Sequence, residues 1–293
     1  MSKFILETDL GRDPDDFFAL CYLVSSGRVP DAIVLSPGDP DQVCLCRIVL
    51  DVLNIDIPIG VAKLGRDKSS VGSIHLDIIN KYKKNRNYDH DGLGSRVIAD
   101  LVGSEEATAL VIGPVTSVAG ALSIGVKITC VLMQGGFVPY SFHNHDVPRL
   151  DKFEEQNKVA TFNLGGDKNA GLVLVNALNC YRYFVGKNIC HCIEYNKSIH
   201  DYVLSFESKN RADELFREGM DLYLAKHDSK KFHDPSAAYA LLYPEEVHFV
   251  LGRMGYAQGK WGAEEDGADL LAINIDMDKF WLSIANPSGY NKS

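Results

Sequence analysis

Glu7-Thr8-Asp9-Leu10-Gly11-Arg12-Asp13-Pro14-Asp15-Asp16 is the stretch on which the fold turns. The apolar run Phe4-Ile5-Leu6 precedes it, and a helix-like apolar run from Phe17 to Val24 follows. The implied order is strand, glycine turn, paired acids, helix. The acids then sit at a strand's C-terminal end, where open α/β sheets bind their ligands. Four aspartates and a glutamate within ten residues repel one another. A compact fold holds such a cluster only when a cation neutralises it, or when the loop lies splayed in water. The ligands within reach are all oxygens, with no neighbouring Cys or His, so the expected cation is a hard one, Ca²⁺ or Mg²⁺.

Outward from this stretch the chain keeps alternating short β-rich runs with helical periodicity, the pattern of an α/β fold. Strands are expected at Phe4 to Thr8, Ala32 to Ser36, Ile59 to Ala62, Ala109 to Ile112, Ile128 to Met133, Arg182 to Val185 and Val247 to Leu251. Helices are expected at Asp15 to Ser26, Pro40 to Leu53, Leu93 to Val102, Val115 to Ser123, Lys168 to Leu178, Ala212 to Lys226 and Pro235 to Leu242. Strand-then-helix repetition gives a mostly parallel central sheet flanked by helices on both faces, a Rossmann-like arrangement. No low-complexity linker or internal repeat divides the chain, so residues 1–293 are expected to form a single domain, with 286–293 a fraying tail. Two polar loops, Lys81 to His90 and Phe142 to Lys158, have the character of lids or substrate-contact elements. The second carries His143, His145, Asp146, Arg149, Asp151, Lys152, Glu154 and Glu155.

Composition excludes several classes. Of 293 residues, 46% are hydrophobic and 24% charged, as in an ordinary globular protein. The net charge of −9 argues against nucleic acid as a partner, since phosphate backbones need a basic face. No apolar run approaches the ~20 residues that span a membrane. A strand starting at Phe4 leaves no room for a signal peptide. Seven cysteines, an odd number in a long chain, suggest reduced thiols and a cytoplasmic location. Cys44-Leu45-Cys46 and Cys190-His191-Cys192 lack the C-x₂₋₄-C spacing of zinc sites and are expected to be inert structural thiols.

Distant segments with ligand-binding character accompany the acidic loop: Ser36-Pro37-Gly38-Asp39, His90-Asp91-Gly92-Leu93-Gly94, Val111-Ile112-Gly113-Pro114-Val115-Thr116-Ser117, Met133-Gln134-Gly135-Gly136, Thr161-Phe162-Asn163-Leu164-Gly165-Gly166-Asp167 and His233-Asp234-Pro235. In their order and spacing these segments resemble the inosine–uridine-preferring nucleoside hydrolase family over about residues 3 to 283, including the ending Asp276-Met277-Asp278-Lys279-Phe280-Trp281. The resemblance implies a Ca²⁺-dependent N-ribosyl hydrolase, acting on a nucleoside or nucleotide and assembled as a homo-oligomer. Its metal ligands would be Asp9, Asp16, Asp234 and the Ile112 carbonyl. Asp9 would be the general base, and His233 would assist protonation of the leaving base. Substrate contacts would fall on Asp15, Asp39, Asn157, Thr161 and Asn163. Asp234 is also suited to N-capping its helix.

The chain departs from the family pattern in ways that bear on substrate. Glu7 stands where Asp is usual, and two extra residues separate Gly11 from Asp15-Asp16. Asp39 and Ser117 replace asparagines, Gln134 enters a glycine-rich strand end, and Thr161 replaces a glutamate that grips the 5′-hydroxyl. Loss of that carboxylate, with Arg149, Lys152 and Lys158 in the preceding loop, admits a nucleoside 5′-monophosphate as substrate beside an ordinary nucleoside. Two other classes fit parts of the pattern: a non-catalytic, Ca²⁺-dependent ribose binder, and a phosphotransferase with an aspartyl nucleophile. Tyr88, Tyr195, Tyr202 and Phe206 are candidates to stack on the base.

Overall fold

A computed structural model describes residues 2–65, 68–142 and 145–290. His143 of the expected lid and residues 291–293 of the expected tail lie outside the described residues. The strands are β1 (Lys3–Thr8), β2 (Ala32–Leu35), β3 (Ile59–Val61), β4 (Gly92–Leu93), β5 (Ala107–Val111), β6 (Ile128–Gln134), β7 (Tyr181–Val185), β8 (Glu194–Asn196), β9 (Ser229–Lys231), β10 (Val247–Ala257) and β11 (Lys260–Ile275). The helices are α1 (Asp15–Ser25), α2 (Pro40–Leu53), α3 (Ile74–Tyr82), α4 (Gly94–Val102), α5 (Thr116–Ser123), α6 (Phe162–Gly166), α7 (Lys168–Val175), α8 (Lys187–Cys190), α9 (Lys197–Leu204), α10 (Arg211–Leu224), α11 (His233–Leu242) and α12 (Met277–Ala285).

Nine strands make one sheet in the order β10-β11-β7-β6-β5-β1-β2-β3-β4. Every neighbouring pair is parallel except β10 and β11. Alternate side chains of the buried strands feed two separate cores, as the two-residue period of a strand requires. Phe4, Leu6, Ile33, Leu35, Leu110 and Leu132 join α1, α2, α10 and α11 on one face. Ile5, Val34, Ala109, Val111, Val131 and Met133 join α4, α5 and α7 on the other. The expected mostly parallel sheet with helices on both faces is therefore the observed one. Among the described residues, no helix is long and apolar enough to cross a membrane.

The structure differs from the sequence reading in several places, among them β4 and the helices α3, α8, α9 and α12, for which no element was expected. The strand expected to end at Leu251 runs to Ala257 and turns into the 16-residue β11, giving the sheet an antiparallel edge. Asp269, fully buried in β11, anchors this hairpin: it accepts from Arg182 Nε of β7 at 2.6 Å and from Met254 N of β10 at 2.7 Å. A small antiparallel pair, β8 with β9, lies outside the main sheet. Residues 286–290, expected to fray, are tied down. Ser288 Oγ donates to Ser25 O at 3.0 Å, and Tyr290 donates to Glu246 at 2.7 Å and packs on Tyr243.

Candidate active site

β1 and β5 lie side by side and deliver the floor of the site from their C-terminal ends. Their approach is close: a Cβ on Gly113 would stand 2.6 Å from Asp9 N, so only glycine lets the two strand ends meet. The loop after β1 is stitched to the start of α1. Asp16 Oδ1 accepts from Thr8 Oγ1 and from Asp9 N at 3.1 Å. Thr8 Oγ1 in turn accepts from Leu10 N at 3.1 Å. Gln42 of α2 braces the same loop: its Nε2 donates to Asp9 O at 3.2 Å, and its Oε1 accepts from Gly38 N at 2.8 Å.

α1 and α11 both begin at this floor, and the positive ends of their dipoles favour carboxylates there. Oxygens of Asp15, Asp16 and Asp234, all buried, lie within 4.8 Å of one another. Asp234 lies inside the first turn of α11 and makes no side-chain cap, so its carboxylate is not spent on the N-cap expected of it. Burial, then the charges of Asp15, Asp16 and Asp9, push Asp234 well above the usual carboxylate range. Burial and the charges of Asp9 and Asp15 do the same to Asp16. Burial and Asp15 raise Asp9 to about 7. Asp15 runs the other way: burial would raise it, but the hydrogen bond from His233 and the charge of Lys230 hold it below its ordinary value.

Those two partners frame the cluster. Lys230 of β9, itself buried, reaches Asp13 Oδ1 at 2.7 Å and Asp15 Oδ2 at 3.5 Å. The lengthened loop thus places Asp13 against Lys230 and beside Asp15. His233 Nδ1 lies 3.1 Å from Asp15 Oδ2, and its ring packs 5.0 Å from that of His191. On the far wall, Asn163 Nδ2 donates to Ile112 O at 2.9 Å and to Gln134 Oε1 at 2.8 Å. The asparagine nitrogen is committed to backbone and Gln134, which leaves its carbonyl oxygen as the group to meet a ligand.

These groups line a cavity of about 790 Å³, whose wall includes Asp9, Asp15, Asp16, Ile112, Asn163 and Asp234. His233, Gln134, Ser36 and Pro37 complete that side. Each sequence segment singled out above reaches the wall except His90–Gly94, where Asp91 instead pairs with Arg47 at 2.6 Å and accepts from Ile59 N at 2.7 Å. A hard cation fits this floor. The donors are all oxygen, buried and mutually repelling, and a divalent charge would relieve the repulsion that keeps protons on them.

Other expected site residues are elsewhere. Asp39 is fully buried as the N-cap of α2, accepting from Asp41 N, Gln42 N and, at 3.0 Å, Ser70 N; it does not line the cavity. Thr161 is buried beside the cavity wall without joining it, while its neighbour Phe162, 70% exposed, does join it. Asn157 is exposed and away from the lining. Of the aromatic candidates, Tyr195 is fully buried and bonds His200, Tyr202 packs on Phe206, and Tyr88 bonds Lys84 N. The aromatic groups that do face the cavity are Phe162, Tyr223 and His227, the last two stacked at 4.4 Å. Lys230, Gln42 and Tyr223 carried no sequence signal, because their partners come from far along the chain. Cys190, expected to be inert, approaches His191 and His233 closely.

The family model described as inosine-uridine preferring nucleoside hydrolase matches residues 4–282. An uncharacterized protein of Aquifex aeolicus (strain VF5) is 24% identical over 276 residues, covering 90% of this chain and 91% of the relative. Among solved structures, a plant nucleoside hydrolase superposes with a TM-score of 0.73 at 17% identity, over 97% of this chain and 98% of the other. A purine-preferring ribonucleoside hydrolase from Gardnerella vaginalis gives 0.70 at 15% identity, over 97% of both chains.

Proposed function

The chain belongs to the inosine-uridine preferring nucleoside hydrolase family, and from that premise we propose a Ca²⁺-dependent cleavage of the N-glycosidic bond of a ribonucleoside or its 5′-monophosphate. Membership makes the protein a glycosyl hydrolase acting on nucleosides. The observation that carries the finer reading is the gathering of Asp15, Asp16 and Asp234 within 4.8 Å on a cavity floor shared with Asp9 and the Ile112 carbonyl.

In this reading Asp9, Asp16, Asp234 and the Ile112 carbonyl hold the cation. A hard divalent ion held there would neutralise the carboxylates, take the hydroxyl oxygens of a ribose diol as ligands and acidify water. Asp9, on the cavity floor with no other side-chain partner among the described residues, takes the proton of the attacking water as general base. The water oxygen bonds to C1′ as the C1′–N bond breaks, and its electron pair leaves with the base. Positive charge then develops on the ribose, and the surrounding carboxylates with the Asn163 oxygen oppose it. His233, held by Asp15, is the group placed to protonate the leaving base. Asp15 also faces the cavity, as a ribose contact would require. The same reading takes residues 1–293 as one domain of a cytoplasmic homo-oligomer, whose assembly state light scattering on the purified protein tests.

The test of function is ribose release from inosine and uridine with Ca²⁺ and with a chelator. Release that stops on chelation and returns with Ca²⁺ supports the reading. Undiminished release in chelator rejects the metal's role, and no release across a nucleoside panel rejects the substrate class.

A further inference from the structure

Resting on the assignment of nucleoside hydrolysis, we propose that Lys152, Lys187 and His191 form an anion site beside the cavity that takes the phosphate of a nucleoside monophosphate. Lys152 Nζ and Lys187 Nζ stand 5.0 and 5.7 Å from the centroid of one ring, that of Phe153. Neither ammonium has a carboxylate partner among the described residues. The nearby lysines are already engaged: Lys231 with Glu194, Lys158 with Glu264 at 2.6 Å, and Lys230 with Asp13 at 2.7 Å. Arg149, a third cation of the same loop, lies over Tyr140. Lys152 and Lys187 are therefore two cations free to meet an incoming anion, in addition to Arg12 and Lys68 of the cavity wall.

His191 joins them to the catalytic cavity. Its Nδ1 accepts from Lys152 Nζ at 2.9 Å, which puts the ring proton on Nε2 and makes that nitrogen a donor. Its ring lies 5.0 Å from His233, which lines the cavity. Burial, then His233, Lys152, Lys187 and Lys231, lower His191 to about 3, so it stays neutral beside the lysines. Burial and Lys152 lower Lys187 as well. Lys152 is exposed and Lys187 half-buried, and two like charges sharing one ring without a counter-ion favour an anion that joins them. Cys190, His191 and His233 are close enough to hold a soft metal ion, but the same lysines repel a cation and attract an anion.

The experiment compares kcat/KM for inosine and uridine with that for their 5′-monophosphates, in the wild type and in Lys152→Ala, Lys187→Ala and Lys187→Arg. Expected is a preference for the monophosphate, with the monophosphate-to-nucleoside ratio falling about tenfold or more in each alanine variant and recovering in Lys187→Arg, as loss of a charge-assisted bond predicts. An unchanged ratio overturns the proposal. Titration calorimetry with inorganic phosphate gives a readout independent of hydrolysis. Saturable binding that weakens in both alanine variants supports the site even when no nucleoside turns over, and no binding to the wild type overturns it. Phosphate binding without preference for the monophosphate overturns the substrate assignment and makes free phosphate the ligand.

Discussion

Asp9 and Asp39 are separated by what their carboxylates already touch. Asp9 has only its backbone engaged by Asp16 and Gln42, so its side chain is free to work in the cavity. Asp9→Asn is expected to lower kcat by about 10²–10⁴, the range for a lost general base, with ribose release as the measurement. A loss below tenfold would move the base elsewhere. Asp39 spends both oxygens on three backbone N–H groups. Asp39→Ala should therefore cost about 0.5–2 kcal/mol in urea unfolding, the usual penalty for a lost N-cap, and leave KM nearly unchanged. A large rise in KM with unaltered stability would return Asp39 to the substrate. Sequence spacing could put both acids at strand ends, yet only tertiary partners decide which is used up. Ser70, which captures Asp39 from 31 positions away, had no local signature. Lys230 was equally silent, since a lysine in a charged run reads as solvated surface until the fold buries it.

Strands and helices were legible where each ends in a turn that its own residues dictate. β1, β2 and β5 are short apolar runs closed by glycine, proline or acid, and their helices follow at once, whereas β6 is closed by glycine and reaches α6 only after a long loop. β11 was not legible, because Glu264-Glu265-Asp266-Gly267 interrupts the alternation that marks a strand. Its stability comes from elsewhere, through Asp269 and Arg182. Asp269→Ala removes one partner of this buried pair and is expected to cost about 3–5 kcal/mol, read as a fall in the urea midpoint. Glu7 holds a second element in place. Its oxygens accept from Ser117 N at 2.6 Å and Val118 N at 2.9 Å at the start of α5, which explains a glutamate where a shorter acid is usual. Glu7→Ala should destabilise the fold by about 1–3 kcal/mol, as expected for stranded buried donors. An unchanged midpoint would show that α5 finds other caps.

The molecule as a whole carries an acidic pocket whose protons and cation compete. Asp9 moves from an ordinary 3.8 to about 7, and Glu7 from 4.5 to about 8, both chiefly through burial. A raised carboxyl value means that the folded state binds its proton more tightly than the unfolded one. Stability is then greatest below about pH 4 on these groups' account and is lost as pH rises through about 7 to 8. Chelator-treated protein should accordingly melt at lower temperature at pH 8 than at pH 5, and added Ca²⁺ should remove most of that difference. Calorimetric melting temperatures check this. A flat pH profile in chelator would mean that Lys230 alone balances the cluster.

Because eight of the nine strands of the main sheet point the same way and only β10 runs against them, the two ends of the molecule are unequal. Asp9, Ile112 and Gln134 sit where β1, β5 and β6 finish. The loops that precede β2, β5, β6 and β7 open on the opposite side, and Leu178 there is 87% exposed. A dye, a solid support or a fused reporter attached at that position would leave the mouth unobstructed, so the enzyme can be immobilised or labelled by its blind end.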